Sequence, residues 1–151
     1  MGLDRLRAFL RRHRLMALDT SVFIYQIEAN TRYLPFTDHI FSWLEQARGQ
    51  GVTSTVTMTE LLVQPYREFD ERRVDVFFAL PSTFPNLQWV APNLEIANLA
   101  AQIRATHRTR TPDALQAATA VYTGATGLVT NDPVFRRLRA FETLVLDQLL
   151  I

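Results

Sequence analysis

The stretch Leu15–Tyr25, LMALDTSVFIY, decides the fold. Residues Leu15–Leu18 have the composition of a short buried strand, and Asp19 follows at once. Thr20 and Ser21 are helix-capping residue types and the residues after them are apolar again, so a helix is predicted to begin there. A buried strand that ends in an acid before a helix is typical of the carboxyl edge of an α/β sheet. Two interpretations of Asp19 stay open: a helix cap, or one corner of a metal site.

Composition indicates a single globular domain. The chain has 151 residues, of which 48% are hydrophobic and 21% charged, enough to bury a sizeable core. Its apolar runs are too short to cross a bilayer and no signal-peptide pattern is visible, so we expect a cytoplasmic protein with no membrane partner. No cysteine is present, which excludes disulfides, thiolate zinc ligands and a cysteine nucleophile.

All sixteen basic residues are arginine, because the sequence contains no lysine. The formal net charge is only +1, so overall charge does not identify a partner. The absence of lysine is more informative, since P-loop phosphate sites and Schiff-base enzymes need that residue. Both classes of function are therefore excluded.

Short apolar segments alternate with helical patterns along most of the chain. Strands are predicted at residues 15–18, 52–56, 87–90, 128–130 and 143–146, and each connection is long enough to hold a helix. This alternation predicts an α/β fold with a mostly parallel sheet of about five strands and helices on both faces.

The first 14 residues differ from this pattern. They contain five arginines and one aspartate, and their apolar residues have helical spacing, which predicts a short basic amphipathic helix able to touch nucleic acid or a membrane surface. The simpler interpretation, which we favour, is a poorly ordered extension. We therefore divide the chain into a basic extension over residues 1–14 and one domain over residues 15–151.

Four acids recur near predicted strand ends or helix starts. Asp19 and Asp132 directly follow strands, and Glu60 lies early in the helix after the second strand. These three are predicted to share the carboxyl edge of the sheet, where open α/β sheets bind ligands. Asp113 opens a helix that follows another helix, so the same argument does not fix its position. Any one of the four, taken alone, is well explained as a helix cap or as a charge that favours the helix dipole.

As a group, the four carboxylates need a different explanation. Several carboxylates close together repel each other unless protons or a cation neutralise them. Oxygen ligands without cysteine or a neighbouring histidine suit a hard cation, Mg²⁺ or Mn²⁺. Such an ion pairs with phosphate oxygens and activates water, so the reaction that fits is phosphodiester hydrolysis. With the group in view, we assign Asp19 to the metal site and the helix cap to Thr20 or Ser21.

The surroundings of the acids fit a phosphate substrate. Arginines precede Asp113 and follow Asp132, and arginine forms bidentate contacts with phosphate. A solvated helix face explains the second group of arginines equally well. Hydroxyl side chains near the acids can orient carboxylates or water. The candidates for contacts with a phosphate substrate are Arg104, Arg108, Arg110 and Arg136, and the supporting hydroxyls are those of Thr20, Ser21 and Thr130.

Three segments together resemble the PIN-domain nucleases, most closely the VapC-type toxins of type II toxin–antitoxin pairs. They are ALDTSVFIY from Ala17, TMTELL from Thr57, and RTPDALQAATAVYTGATGLVTNDPVF from Arg110. The resemblance runs from about Met16 to the C-terminus and implies a single PIN-like domain, a three-layer α/β/α sandwich. It also implies a Mg²⁺- or Mn²⁺-dependent endoribonuclease whose catalytic and metal-binding acids are Asp19, Glu60, Asp113 and Asp132, with Thr130 as a supporting hydroxyl.

The resemblance further implies an RNA substrate, which makes the four candidate arginines predicted RNA-binding residues, and it implies a homodimer and a cognate VapB-type antitoxin. Candidate apolar docking residues for such an antitoxin are Phe36, Phe41, Trp43, Phe69, Phe77 and Phe78, most of which are equally good core residues. Two alternatives stay open. One is a PIN nuclease that processes RNA or cuts DNA outside any toxin pair. The other is a catalytically silent PIN-type module that only binds RNA or protein.

Overall fold

A five-stranded, all-parallel sheet organises the computed structural model, which describes residues 1–150. The strand order β3-β2-β1-β4-β5 puts β1 at the centre, between β2 and β4. The predicted α/β class and strand number are confirmed. The strands are β1 (Leu15–Leu18), β2 (Gln50–Ser54), β3 (Leu87–Val90), β4 (Gly127–Thr130) and β5 (Glu142–Val145).

Residues 1–150 form seven α-helices around this sheet. Two short 3₁₀ helices, Pro133–Arg137 and Leu146–Leu150, flank β5. No helix among residues 1–150 is long and apolar enough to cross a membrane. The helices are α1 (Gly2–Arg12), α2 (Thr20–Ile27), α3 (Leu34–Glu45), α4 (Thr55–Arg67), α5 (Glu71–Ser82), α6 (Leu94–His107) and α7 (Thr111–Thr123).

Successive residues of β1 point to opposite faces of the sheet, and each face has its own apolar layer. Met16 and Leu18 join a large cluster with residues of α1, α2 and α3. Ala17 joins a second cluster with Leu128 of β4 and with alanines of α7, whose small side chains let that helix lie close to the sheet. Helices therefore cover both faces, as the sandwich architecture requires.

Helix α1 corrects the expectation of a poorly ordered N-terminal extension. Its apolar residues Leu6, Phe9 and Leu10 are between 0 and 2% exposed and belong to the larger core cluster. The helix also lies against the last 3₁₀ helix, where the Arg5 guanidinium donates to the carbonyl of Gln148 at 2.6 Å. The amphipathic pattern therefore marks a core helix whose basic face is solvent-exposed, because burial of its apolar stripe fixes it on the domain.

Candidate active site

Asp19 stands at the carboxyl end of β1, at the first position before α2. Its side chain makes no cap hydrogen bond to that helix, although its backbone carbonyl accepts from Val22 N at 3.1 Å. The carboxylate is 8% exposed, and its Oδ2 accepts from the hydroxyl of Thr130 at 2.7 Å. Asp19 is therefore a buried acid that helix capping does not explain.

The pKa of Asp19 is raised from 3.8 to about 6. Burial is the main cause, because it penalises the charged carboxylate, and the negative charges of Glu60 and Asp113 raise the pKa further. Hydrogen bonds from the Thr130 hydroxyl and the Thr20 backbone act in the opposite direction. Because Glu60 and Asp113 both act on Asp19, the structure brings these three predicted acids into electrostatic reach of one another.

Glu60 is oriented by the first hydroxyl after Asp19. Thr20 Oγ1 donates to Glu60 Oε1 at 2.7 Å and lies 3.4 Å from Thr57 Oγ1. Ser54, at the end of β2, caps α4 by accepting from Val56 N at 3.1 Å. This cap fixes the start of the helix that carries Glu60, so the carboxylate faces α2 across the sheet edge.

Buried polar side chains next to Thr20 and Glu60 form a hydrogen-bond network. Thr57 Oγ1 is 2.7 Å from Thr53 Oγ1, and Thr53 in turn donates to the carbonyl of Leu18 at 2.8 Å. Gln116, which is 4% exposed, donates its amide to Thr57 and approaches Ser54 N with its oxygen at 3.4 Å. Sequence reasoning missed Gln116, although a lone amide on an alanine-rich helix face, three residues after Asp113, is a usable signal.

Asp113 lies in the first turn of α7 and pairs with an exposed arginine. Arg110 Nε donates to Asp113 Oδ2 at 3.3 Å. The pKa of Arg110 is raised, first by Asp113 and more weakly by the charges of Glu60 and Asp132. Arg110 therefore contacts Asp113 directly, and the charges of Glu60 and Asp132 act on it from a greater distance.

Asp132 differs from the other three acids because it is a helix cap. Its Oδ1 accepts from Val134 N at 2.9 Å and closes the first turn of the 3₁₀ helix Pro133–Arg137. Its own N–H donates to Thr130 Oγ1 at 3.0 Å. Thr130 therefore connects Asp132 to Asp19, and the second oxygen of Asp132 is the one left for other ligands.

The predicted cap role of Thr20 or Ser21 is wrong, because both hydroxyls serve the site instead. Thr20 binds Glu60, and Ser21 Oγ accepts from the backbone N–H of Asn131 at 3.1 Å. The Asn131 side chain donates to the hydroxyl of Tyr25 at 2.9 Å, which holds the turn that carries Asp132 against α2. Sequence reasoning missed Asn131 as well, since nothing but its place before Asp132 distinguishes it.

The predicted RNA-binding arginines occupy different environments. Arg104 is engaged within the fold, since it donates to the Thr109 carbonyl and the Thr111 hydroxyl, both at 2.9 Å. Arg108 ends α6 in a left-handed conformation with φ 53°, and its side chain is exposed, as is that of Arg136. Arg110 is the one arginine of the four that contacts a site carboxylate.

The acids do not form a closed ligand cage by themselves. Among residues 1–150, no group of three or more His, Asp or Glu side chains is close enough to hold a metal ion. The pKa of Asp19 is nevertheless raised, chiefly by burial and further by the charges of Glu60 and Asp113, and the donors of all four side chains are hard oxygens. Mutually repelling carboxylates of this chemistry fit a divalent cation such as Mg²⁺ or Mn²⁺.

Several solved structures with the same fold are VapBC proteins. They include VapBC-1 from nontypeable Haemophilus influenzae, with a TM-score of 0.66 and 18% identity over 88% of this chain and 98% of that chain. A DNA-bound VapBC from Salmonella typhimurium has a TM-score of 0.64 and 20% identity over 87% and 97%. VapBC-5 from Mycobacterium tuberculosis has a TM-score of 0.58 and 21% identity over 87% and 98%. At these identities the likeness concerns the fold.

The family follows from the sequence itself. No curated protein matches the chain. The model of the PIN domain family matches residues 16–140, which include all four predicted acids and exclude α1. This match confirms the resemblance seen in the three sequence segments. The chain therefore belongs to the PIN domain family.

Proposed function

We propose that this protein is a metal-dependent endoribonuclease that hydrolyses RNA phosphodiester bonds and acts as the toxin of a type II toxin–antitoxin pair. The observation that carries the proposal is Asp19, a buried carboxylate with no capping role that shares its edge with Glu60 and Asp113. A fold gains nothing from such a group by itself, because its burial disfavours the charged form. A functional role explains why the cost is tolerated.

Asp19, Glu60, Asp113 and Asp132 are the residues that would hold Mg²⁺ or Mn²⁺. When bound, such an ion supplies a Lewis acid that lowers the pKa of a coordinated water and neutralises charge on the phosphate. The protein contributes the orientation of the ligands, through Thr130 on Asp19 and Thr20 on Glu60. Arg110 is placed to contact a phosphate beside Asp113, because its guanidinium is exposed at this edge.

Cleavage of a labelled RNA tests the proposal. The wild-type chain with Mn²⁺ is expected to cut, whereas Asp19→Asn and Asp113→Asn are expected to lose activity and keep the fold. Asp75→Asn removes an exposed carboxylate on α5 and serves as the matched control, with activity unchanged. Full activity in both site variants would refute the assignment of the acids.

The toxin role is supported by the proteins that share this fold, several of which are VapBC complexes. By that likeness, a VapB-type antitoxin and a homodimer are the expected partners. Of the six apolar docking candidates, Phe36, Phe41, Trp43 and Phe77 are buried, whereas Phe69 is 92% exposed and Phe78 53% exposed. An antitoxin segment is therefore expected to cover the surface of α5 and the turn before it.

Growth assays separate a toxin from an RNA-processing PIN nuclease. Induction of the wild-type chain should arrest growth, and Asp19→Asn should not. Co-expression of a small protein encoded directly upstream should restore growth if an antitoxin exists. Normal growth with an RNase-active chain would favour the RNA-processing role.

One observation favours a catalytically silent module as the second candidate. Among residues 1–150 the acids do not converge into a ready ligand group. Calorimetry with Mn²⁺ distinguishes the two functions. A metal-dependent nuclease should bind Mn²⁺ with measurable heat, and Asp19→Asn should abolish this binding. No binding to the wild-type chain would favour the silent module.

A further inference from the structure

A second charged site lies at the opposite edge of the sheet. It is a surface cleft of about 350 Å³ between α1, α3 and the segments that precede β1 and β2. Arg14 directly precedes β1 and Arg48 lies two residues before β2, and the N–H of Gln50 donates to the Arg14 carbonyl at 2.7 Å. The lining residues are Arg7, Leu10, Arg11, Arg14, His39, Trp43 and Arg48.

This cleft is separate from the acidic site. Arg14 precedes β1 and Asp19 follows it, so the four residues of β1 lie between them and their Cα atoms are five extended steps, roughly 16 Å, apart. Because all five strands are parallel, the amino ends of β1 and β2 share the edge that carries the arginines. One bound nucleotide cannot occupy both sites.

The positive charge of the cleft is largely uncompensated. Arg7 pairs with Asp4 at 3.3 Å, but Arg11, Arg14 and Arg48 form no ion pair with any acid among residues 1–150, and their side chains are exposed. The pKa of His39, on α3, is lowered by partial burial and then by the charges of Arg7 and Arg48. The cleft therefore has a positive electrostatic potential, which suits an anionic ligand.

The walls of the cleft are fixed by packing. Helix α1 is held by its buried apolar residues, as described above. The turn before β2 is held by Trp43, whose ring lies so close to Gly49 that a Cβ there would be 1.9 Å from Trp43 Cζ2. Arg11 and Arg48 thus project from two rigid elements, which lowers the entropic cost of holding a ligand between them.

We propose that this cleft binds the phosphate backbone of RNA outside the cleavage site. The exposed lining is almost entirely arginine, and phosphate contacts are made by such side chains without an apolar core. A protein partner would need a buried apolar centre, which Trp43 and Leu10 cannot provide because they are already buried in the core. The choice of RNA as the ligand rests on the proposed function. The evidence for an anion site comes from the arginines and does not depend on that function.

Fluorescence anisotropy with a labelled 30-nucleotide single-stranded RNA in EDTA tests this site without any cleavage. The variant Arg11→Gln/Arg48→Gln removes two cleft charges. The matched control Arg67→Gln/Arg72→Gln removes two exposed arginines of α4 and α5 that do not line the cleft. If each cleft arginine contacts one phosphate, the slope of log Kd against log salt should fall by about 1.4 in the cleft variant only.

Three outcomes would overturn the proposal. The first is no RNA binding by the wild-type chain, and the second is an equal loss of slope in the control variant. The third is an unchanged RNA slope in the cleft variant together with weaker binding of poly-glutamate, which would assign the cleft to an acidic protein. A chain that binds RNA through the cleft but never cuts it would contradict the proposed nuclease and leave this inference intact.

Discussion

Replacing Asp19 with asparagine should stabilise the fold in the absence of divalent cations. The pKa of Asp19 rises from 3.8 to about 6 on folding, chiefly because the carboxylate is buried. A shift of about 2 pK units corresponds to about 3 kcal/mol between the two protonation states. Asparagine is isosteric and its amide oxygen can still accept from Thr130, so the substitution removes the charge and retains that hydrogen bond.

The sign of the pH dependence follows from the raised pKa. The unfolded chain loses its Asp19 proton near pH 3.8, whereas the folded chain keeps it until about pH 6. Below pH 3.8 Asp19 is protonated in both states, so its burial does not reduce the free energy of unfolding. As the pH rises through 6, this free energy falls because the charged form of Asp19 is favoured in the unfolded chain. The stability advantage of the variant should be below ~1 kcal/mol at pH 4 and about 3 kcal/mol at pH 8.

Urea denaturation from pH 4 to 8 in EDTA measures this difference. The wild-type chain should lose stability relative to Asp19→Asn as the pH rises, and Asp75→Asn should follow the wild-type curve. A constant difference between the wild-type and Asp19→Asn curves, or a variant that is less stable at pH 8, would show that the burial of Asp19 does not have the assigned energetic effect.

Three further substitutions test other parts of the structure, all by urea denaturation. Phe9→Ala should destabilise the fold by roughly 3–5 kcal/mol because α1 is part of the core, and a loss below 1 kcal/mol would indicate a detached helix. Thr130→Val removes the hydroxyl that lowers the pKa of Asp19, so this variant should lose stability at a higher pH than the wild-type chain does. Gly49→Ala should cost about 1–3 kcal/mol because its Cβ would overlap Trp43, and a neutral result would mean that this turn can shift.

The strand-and-helix order of the fold could be predicted because the sequence encodes it locally. Short β-branched runs alternate with helical periodicity, and parallel pairing follows from the length of the connections. The position of α1 could not be predicted in the same way. Its apolar stripe is visible in the sequence, but the surface that buries this stripe combines α3 with the 3₁₀ helix Leu146–Leu150, a pairing of distant segments that no local pattern identifies.

In the candidate site, too, some residues could be predicted from the sequence and others could not. Asp19 and Glu60 follow strand ends, so their shared edge could be predicted from topology alone. The position of Asp113 depends on the packing of α7 against β1 and β2, which the sequence does not reveal. Only the structure shows that the charge of Asp113 acts on Asp19. Gln116 and Asn131 were missed because their role is to orient other groups, and hydrogen bonds between distant elements leave no periodic trace in a sequence.

The contact between α1 and the 3₁₀ helix Leu146–Leu150 joins two segments that are synthesised far apart in time. Arg5 and Gln148 are separated by 143 residues. At 5–20 residues per second, Gln148 is therefore synthesised roughly 7–29 s after Arg5. During that interval Leu6 and Phe9 have no complete core to enter. The larger core cluster can therefore close only after Leu146 and Leu149 have been synthesised, and a chain arrested shortly before residue 146 would expose an apolar helix to chaperones and proteases.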